Sequence, residues 1–462
     1  MELTKGMWLK TYVSNKPLGI VALAVALSSV LPGPLARAAD LSAPSLPTQS
    51  ATAVWQLLAG VLIWLMPAGL AMLAAGLTRA KNASQTTFMT FFGCAIAVVA
   101  FWAGGFAVAH GGSGFFLYHA DAGPRNFSSF FWQASTLCVA VSIPVGALAE
   151  RWSLRNFYVS ALFMSLILFP FFACWTWGGG WLARLGFVDF AGSGVVHALG
   201  GLFALAGALI LGPRIGRYNR DGAVIPIPAH NIPLTLLGSF LLVVGWLGFN
   251  MVGATESAAS IAVVTILAGA SGGITAATFM IMTTRKPDPT ITINGLLAGL
   301  VASSAGAAYI SPVAAVIISV IASLLGCVSV QLLDRWRIDD PVGAISVHGV
   351  GGLWGVLAVG IFANSDSVNG CLHGGWGQLG AQLLGVFVLV LWAGGVSWIF
   401  LKTLDWFIPM RVPPEVELEG LDISETGLVA YPDSHISSPH TGGFSSSITR
   451  LTSRKEYEHE KN

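Results

Sequence analysis

The chain has 462 residues, of which 54% are hydrophobic and only 10% carry a charge, with a formal net charge of +1. A water-soluble domain carries about 25% charged residues, so this composition excludes an ordinary soluble globular fold. It predicts an all-α integral membrane protein that crosses the bilayer many times. Nothing in the charge balance or the motifs indicates nucleic acid as a partner. The five cysteines are scattered singly, without the spacing of a metal site or a disulfide framework.

Residues 1–38 have the pattern of a secretory signal peptide. Three lysines within the first 16 residues precede an apolar run at 18–31, and Ala36 and Ala38 then form an A-x-A cleavage motif. We expect cleavage after Ala38, which leaves the mature N-terminus outside. The alternative is that this segment remains as an uncleaved first span.

Eleven apolar segments follow, each close to the roughly 20 residues that a spanning helix needs. They lie near residues 54–78, 88–109, 130–148, 159–177, 190–211, 232–253, 258–283, 292–308, 312–333, 341–362 and 379–401. Loop charges set the orientation, because cytoplasmic loops are rich in Lys and Arg. With the N-terminus outside, eleven basic residues lie in inner loops and two in outer loops. This bias predicts a cytoplasmic C-terminus.

The chain therefore divides into a membrane domain and polar C-terminal segments. We assign residues 50–408 to the eleven-span domain. Residues 409–431 include the acidic stretch EVELEGLDISETGLVAY, which we expect to dock on the cytoplasmic face as a regulatory tail. Residues 432–462 are rich in Ser, His and charge, a composition typical of disorder.

Two segments of the chain repeat each other. Aligned on His197 and His348, they match at seven of fourteen positions, including Asp189 and Asp340 eight residues earlier and paired glycines three and four residues later. We infer an internal duplication. Because the histidines lie on spans five and ten, the second half enters the membrane in the opposite sense, as an inverted 5+5 repeat with one extra helix. Eight residues of helix rise about 12 Å, so both histidines fall near the middle of a core about 30 Å thick.

His197 and His348 are the ionisable side chains that this assignment places inside spans, where such groups are costly and usually face a cavity or a partner. We interpret them as a pair that lines a central pore. The alternatives are two structural histidines bonded to backbone carbonyls, or a metal pair, which is disfavoured because a stable site needs three or four ligands. Asp189 and Asp340 are expected to cap the free N–H groups of their helices. An electrostatic effect of Asp189 on a cation at the outer mouth is a second possible role.

Several motifs, in order along the chain, resemble the ammonium transporter family, which includes the Rhesus proteins. They are DFAGSGVVHALGG, DDPVGAISVHGVGG, GALAERW, WGGG, GWLGFN and EGLDISETGLVAY. The resemblance covers about residues 50–431. It implies a homotrimer in the inner (plasma) membrane, each subunit with its own pore for ammonium or ammonia and no cofactor. It also implies a PII-type regulatory protein at the cytoplasmic face, where Arg214, Arg217 and Arg220 could form a docking surface.

The resemblance also assigns roles to individual residues. It implies that His197 and His348 are the twin histidines of the pore and that Trp177 belongs to an outer ammonium site. It further implies that Phe249 and Trp132 belong to the gate that closes the pore from outside.

Two positions depart from the family pattern. Thr136 stands where a second gate phenylalanine is expected, four residues after Trp132, and Gly253 stands where a serine would hydrogen-bond ammonium. We therefore expect a wetter and weaker outer site, formed by Trp177, Thr136 and Gly253. An aromatic mouth attracts a cation by roughly 0.5–2 kcal/mol, and a dry lumen then excludes bare charge. Two imidazoles in contact can relay a proton or hydrogen-bond ammonia.

Other functions remain open at this point. The same fold suits an ammonium sensor or a conduit for another small neutral gas, which the altered outer site favours, although a sensor usually needs a signalling domain. A membrane enzyme could use the histidine pair as an acid–base catalyst. No nucleophile or cofactor motif accompanies the pair, so we predict that the protein is not an enzyme.

Overall fold

The computed structural model describes residues 46–112, 114–118, 124–253 and 257–432. Within these ranges the chain is helical apart from its loops and a few isolated β-bridges. The proposed signal peptide at 1–38, and the proposed C-terminal extension beyond Pro432, lie outside the described residues.

Eleven membrane helices account for most of the described chain. They are α1 Thr52–Leu77, α2 Ala80–Ala109, α3 Asn126–Ala147, α4 Leu154–Arg184, α5 Ser193–Leu211, α6 Ile232–Met251, α7 Ala258–Thr284, α8 Pro289–Ser304, α9 Pro312–Arg335, α10 Ile345–Phe362 and α11 Trp376–Phe407. Ten of them are long and apolar enough to cross a membrane, and α8 is the shorter exception. The fold is therefore the predicted all-α membrane fold, and each predicted apolar segment corresponds to one helix.

The predicted helix bounds differ most at the start of α2. This helix begins at Ala80 rather than near residue 88, and so includes the polar stretch KNASQTT. The α-helical part begins at Ala83, and a residue far away in the sequence caps its first turn. The Asp422 carboxylate accepts hydrogen bonds from the backbone N–H groups of Ser84 (3.2 Å) and Gln85 (2.9 Å). A local hydropathy pattern does not contain this long-range cap.

The helices enclose α3 and α5 most completely. In each of these two helices 83% of the apolar window is buried, compared with 28% in α11. Large apolar side chains such as Phe91, Phe240 and Met282 instead lie exposed on the outward helix faces. Outward apolar side chains suit contact with lipid, and the enclosed α5 carries His197 into the centre of the protein.

Helices α5 and α10 approach each other closely through glycines. A Cβ atom added to Gly201 would lie only 2.2 Å from the backbone nitrogen of Gly349, and one added to Gly352 would lie 2.8 Å from that of Ala198. Gly201 is four residues after His197 and contacts Gly349, the residue after His348. Gly352 is four residues after His348 and contacts Ala198, the residue after His197. The two helices therefore make equivalent contacts with each other.

The neighbouring helices continue this symmetry. Gly200 packs on the carbonyl oxygen of Ala140 in α3, and Gly351 packs on the carbonyl oxygen of Ala298 in α8. The third and eighth helices are five apart, as are α5 and α10. These matched contacts are those of two halves related by a two-fold axis, which is the arrangement that the inverted repeat predicts.

Substitution of Gly201 by alanine is expected to destabilise the protein. The new methyl group would overlap the α10 backbone, and overpacking of this kind costs about 1–3 kcal/mol. The loss of monodisperse protein after heating in detergent measures the effect. Gly395→Ala is the matched control, because a Cβ there meets no atom within 4 Å. Equal melting of the two variants would contradict the proposed close approach.

Four charged side chains form a buried cluster at the helix ends: Glu150, Arg151, Arg214 and Asp339. The Arg214 guanidinium donates to Asp339 (Nε–Oδ2, 2.8 Å) and to Glu150 (Nη1–Oε1, 2.9 Å), while Arg151 donates to the backbone oxygen of Asp339 (2.8 Å). The cluster joins the α3–α4, α5–α6 and α9–α10 loops. Burial alone would raise the pKa of Asp339, but the Arg214 and Arg151 guanidinium groups lower it to about 2.

The expected docking surface of three arginines is wrong in part. Arg214 is buried in this cluster and is 5% exposed, so it offers no surface to a partner. Arg217 pairs with Asp334 (Nη2–Oδ1, 2.7 Å), and Arg220 is exposed. The positive charge of Arg214 is paired with Asp339 and Glu150 and so joins the loops to each other.

The tail, residues 409–431, lies on the same face as the cluster, and this face is called the tail face below. Glu417 accepts hydrogen bonds from the backbone nitrogen of Ile215 (2.7 Å) and from Arg411, while Glu425 accepts one from the backbone nitrogen of Leu154 (2.7 Å). Leu154 is the first residue of α4, so Glu425 caps the start of α4 as Asp422 caps the start of α2. Asp422 and Glu425 therefore satisfy N–H groups that helix starts leave unpaired, while Glu417 holds the α5–α6 loop.

Asp339→Asn is expected to lower the thermal stability at neutral pH strongly, because breaking a buried ion pair costs about 3–5 kcal/mol. Since the folded-state pKa of Asp339 is depressed to about 2, its ionised form stabilises the fold above about pH 4 and this contribution disappears as the pH falls toward 2. The difference in melting temperature between wild type and variant should therefore narrow in acid. The exposed Glu415→Gln variant is the control, and a pH-independent difference would contradict the assignment.

Candidate functional site

His197 and His348 lie in matching π-helical turns. Ser193–Ala198 forms the first turn of α5, and Ile345–Val350 forms the first turn of α10. Single π-turns within helices occur frequently at functional sites. The two Nδ1 atoms are 3.1 Å apart, the ring centroids are 5.1 Å apart and the ring planes differ by 17°. The structure thus joins the two histidines in one buried pair.

A hydrogen bond between two Nδ1 atoms requires that one ring donates and the other accepts. In a neutral pair, the donating ring keeps a lone pair on Nε2 and the accepting ring keeps a proton on Nε2. The pair therefore presents one acceptor and one donor at its two ends. The buried Nε2 of His197 has no hydrogen-bond partner within the described residues, so it is available to a small polar molecule.

The two aspartates cap the histidine-bearing helices in the same way. The Asp189 carboxylate accepts hydrogen bonds from three backbone N–H groups, and Asp340 also accepts three. In both cases the first donor is a glycine in the left-handed region, Gly192 (φ 114°) or Gly343 (φ 79°). Burial raises the pKa of both carboxyl groups to about 6, although the N–H donors act in the opposite direction.

Aromatic rings close the side of His197 that faces away from the tail face. Trp246 stacks on the His197 ring with a centroid distance of 4.8 Å and an interplanar angle of 14°, and the Phe249 centroid is 5.0 Å from His197. The Trp246 indole N–H donates to the Ser304 hydroxyl (3.0 Å), which fixes this ring. Trp246 was not predicted as part of the site. Its position three residues before the predicted Phe249 places both rings on one face of the helix.

Trp177 lies next to this aromatic group. It follows the helical segment Phe169–Thr176, and its indole N–H donates to the backbone oxygen of Asp189 (2.7 Å). A Cβ added to Gly192 would be 3.3 Å from Trp177 and 3.4 Å from Phe249, so both rings pack over this glycine. The Trp132 ring lies 5.3 Å from that of Trp177. Trp177, Trp132 and Phe249 therefore form one aromatic mouth above His197.

Thr136 and Gly253 have neighbours of their own. Thr136 is buried, and its hydroxyl donates to the backbone oxygen of Gln133 (2.9 Å), which leaves only its lone pairs for another partner. A Cβ added to Gly253 would be 3.3 Å from the Phe190 ring. A serine at this position would therefore fit after a small movement of Phe190.

Two cavities lie on the other side of the pair, toward the tail face. A cavity of about 20 Å³ adjoins His348 and has mostly apolar walls, including Leu70, Leu73 and Leu297. This is room for one molecule the size of water. A larger cavity of about 750 Å³ continues to the tail face. Both cavities are lined by Asn294.

The pair is a poor metal site by its chemistry. Two ring nitrogens are fewer than the three or four ligands of a stable zinc site. In the part of the chain that the structure describes, no group of three or more His, Cys, Asp or Glu side chains is arranged to hold a metal ion.

Comparison with known proteins places the chain in a family. Residues 54–431 match the model of the Ammonium Transporter Family. The ammonium transporter Amt2 of Archaeoglobus fulgidus is 39% identical over 412 residues, which cover 82% of this chain and 88% of that protein. Ammonium transporter 3 of Dictyostelium discoideum is 36% identical over 410 residues, covering 82% of this chain and 93% of the relative.

Solved structures agree with this result. A sensor Amt protein has a TM-score of 0.78 at 34% identity and covers 82% of this chain and 98% of its own. Mep2 from Candida albicans has a TM-score of 0.75 at 28% identity, with coverage of 87% and 94%. With the joined histidines, the eleven helices and a match across most of its length, the chain belongs to the ammonium transporter family.

Proposed function

We propose that this protein transports ammonium or ammonia across a membrane, along a narrow path that passes His197 and His348. The observation that carries the proposal is the hydrogen-bonded histidine pair between an aromatic mouth and an apolar cavity. Membership of the family supports it, because the relatives are ammonium transporters.

Selectivity on this path rests on the ability of ammonium to lose a proton. Ammonium and potassium are similar in size, so the width of the path separates them poorly. The faces of Trp177 and Trp132 attract cations in general, by roughly 0.5–2 kcal/mol. The dry path beneath Phe249 then rejects any bare charge. Ammonium gives its proton to water at the mouth or to the free Nε2 of His197 and enters as ammonia, whereas potassium has no proton to lose.

The histidine pair can hold ammonia or relay the proton. If the ring that donates through Nδ1 receives a proton on its free Nε2, its Nδ1 proton can pass to the Nδ1 of the other ring. That ring then releases its own Nε2 proton on the far side. Both rings end neutral with exchanged tautomers, and ammonia, which donates and accepts hydrogen bonds, suits either end of the pair.

We further propose the orientation and setting of the protein. The tail face is cytoplasmic, because the arginine-rich loops lie there, and the N-terminus is outside, in the inner (plasma) membrane. A homotrimer follows from the family resemblance. Residues 409–431 form the cytoplasmic regulatory tail, and a PII-type protein would dock near it, with the exposed Arg220 as a contact in place of the buried Arg214.

Loss of either central imidazole is expected to reduce transport. His197→Ala or His348→Ala removes the buried hydrogen bonds to ammonia, and we expect ammonium flux in proteoliposomes to fall by on the order of tenfold or more. The control is His373→Ala, an exposed histidine in a loop. Potassium is measured in parallel as the excluded ion.

Absence of ammonium flux in the wild type, with the same behaviour in His197→Ala, would refute the transport proposal. Ammonium binding without flux would favour a sensing role instead, the activity named for one structural relative. Methylammonium serves as a second substrate that reports on the width of the path.

Restoring the family residues at the mouth is expected to tighten recruitment of ammonium. The double substitution Thr136→Phe with Gly253→Ser adds an aromatic face and a hydroxyl, so the half-saturating ammonium concentration of uptake should fall. Because Thr136 is buried, the larger ring can disturb packing. Gly253→Ser alone is therefore measured as well, since its side chain requires only a small movement of Phe190. Unchanged apparent affinity in both variants would contradict a weakened outer site.

A further inference from the structure

The two-fold relation between the halves gives Thr136 a counterpart in the second half of the chain. Ala140 of α3 and Ala298 of α8 occupy equivalent positions, because each presents its carbonyl oxygen to the first glycine of a histidine segment. Thr136 lies four residues before Ala140, and Asn294 lies four residues before Ala298. Asn294 is therefore the counterpart, at the inner mouth, of the residue that departs from the family pattern at the outer mouth.

The cavities meet at this same side chain. Asn294 and Val342 both line the small cavity beside His348 and the large cavity that opens to the tail face, and Asn294 is the polar one of the two. It also lines a third cavity of about 10 Å³ beside Ser346. A molecule that leaves His348 for the cytoplasm therefore passes Asn294.

The amide of Asn294 is positioned by packing and not by hydrogen bonds. Gly343 lies so close that a Cβ added to it would be 2.3 Å from the Asn294 amide nitrogen. Within the described residues the amide has no hydrogen-bond partner, and the side chain is half-buried. By contrast, Ser142, which also lines the small cavity, donates its hydroxyl proton to the backbone oxygen of Cys138 (2.6 Å). Asn294 thus offers both a donor and an acceptor to the path.

We propose that Asn294 is an inner binding residue for the permeating molecule, at the exit of the apolar path. Its carbonyl oxygen accepts a hydrogen bond from ammonium or ammonia, and its amide N–H donates to the lone pair of ammonia. The residue thereby replaces part of the hydration that the molecule lacks beside His348. This inference rests on the proposed transport function and identifies a second recruitment site of the same path.

The test compares ammonium flux from each side of oriented vesicles. Asn294→Leu removes the hydrogen-bonding groups and keeps a similar volume. We expect it to raise the half-saturating ammonium concentration for flux from the tail face by on the order of two- to tenfold. Flux from the opposite side should change less. Thr136→Val should show the reverse asymmetry, and the exposed Asn364→Leu should behave as wild type.

The conservative variant Asn294→Ser keeps a donor and an acceptor, so it should recover most of the affinity from the tail face. Wild-type flux with an unchanged half-saturation in Asn294→Leu would overturn the inference. So would an equal loss of affinity from both sides together with a lowered melting temperature, because that result indicates a structural role. Absence of flux in the wild type is a separate result that refutes the transport proposal itself.

Discussion

The close approach of α5 and α10 is the contact on which the rest of the site depends. Any side chain at Gly201 or Gly352 would meet the backbone of the opposite helix. Apolar surface gives little driving force for helix association within lipid, so small residues and close packing provide it. This contact brings the two π-turns together, and only then can the Nδ1 atoms of His197 and His348 reach 3.1 Å.

The ionised side chains of the buried cluster lie away from the histidine pair. The ionised groups Glu150, Arg151, Arg214 and Asp339 lie at the helix ends, where each has a partner, and they join three loops. The histidine pair, which functions as a neutral donor and acceptor, lies in the middle. Because an unpaired charge in an apolar site costs far more than an unpaired dipole, the ionised groups lie at the ends, where each has a partner, and only the neutral pair lies in the middle.

The sequence was sufficient to predict features that lie within one segment of the chain, and features that two segments share by duplication. The eleven helices follow from hydropathy, and the pairing of His197 with His348 follows from the duplication. The early start of α2, the stacking of Trp246 and the burial of Arg214 were not predicted. Each depends on a partner far away in the chain, such as Asp422, Ser304 or Asp339. Hydropathy and residue spacing depend only on residues that are near each other in the sequence. They therefore cannot predict contacts between residues that are far apart in the sequence.

The two mouths of the path show what the symmetry constrains and what it leaves free. The capping aspartates, the left-handed glycines and the histidines are the same in both halves, because each of them fixes the backbone or the central pair. The side chains four residues before Ala140 and Ala298 do not fix the backbone or the central pair, and they differ, as Thr136 and Asn294. A duplicated frame can therefore keep one proton-handling centre while its two entrances acquire separate affinities. The mouth under aromatic rings suits a cation that must lose a proton, and the mouth with a free amide suits a molecule that returns to water.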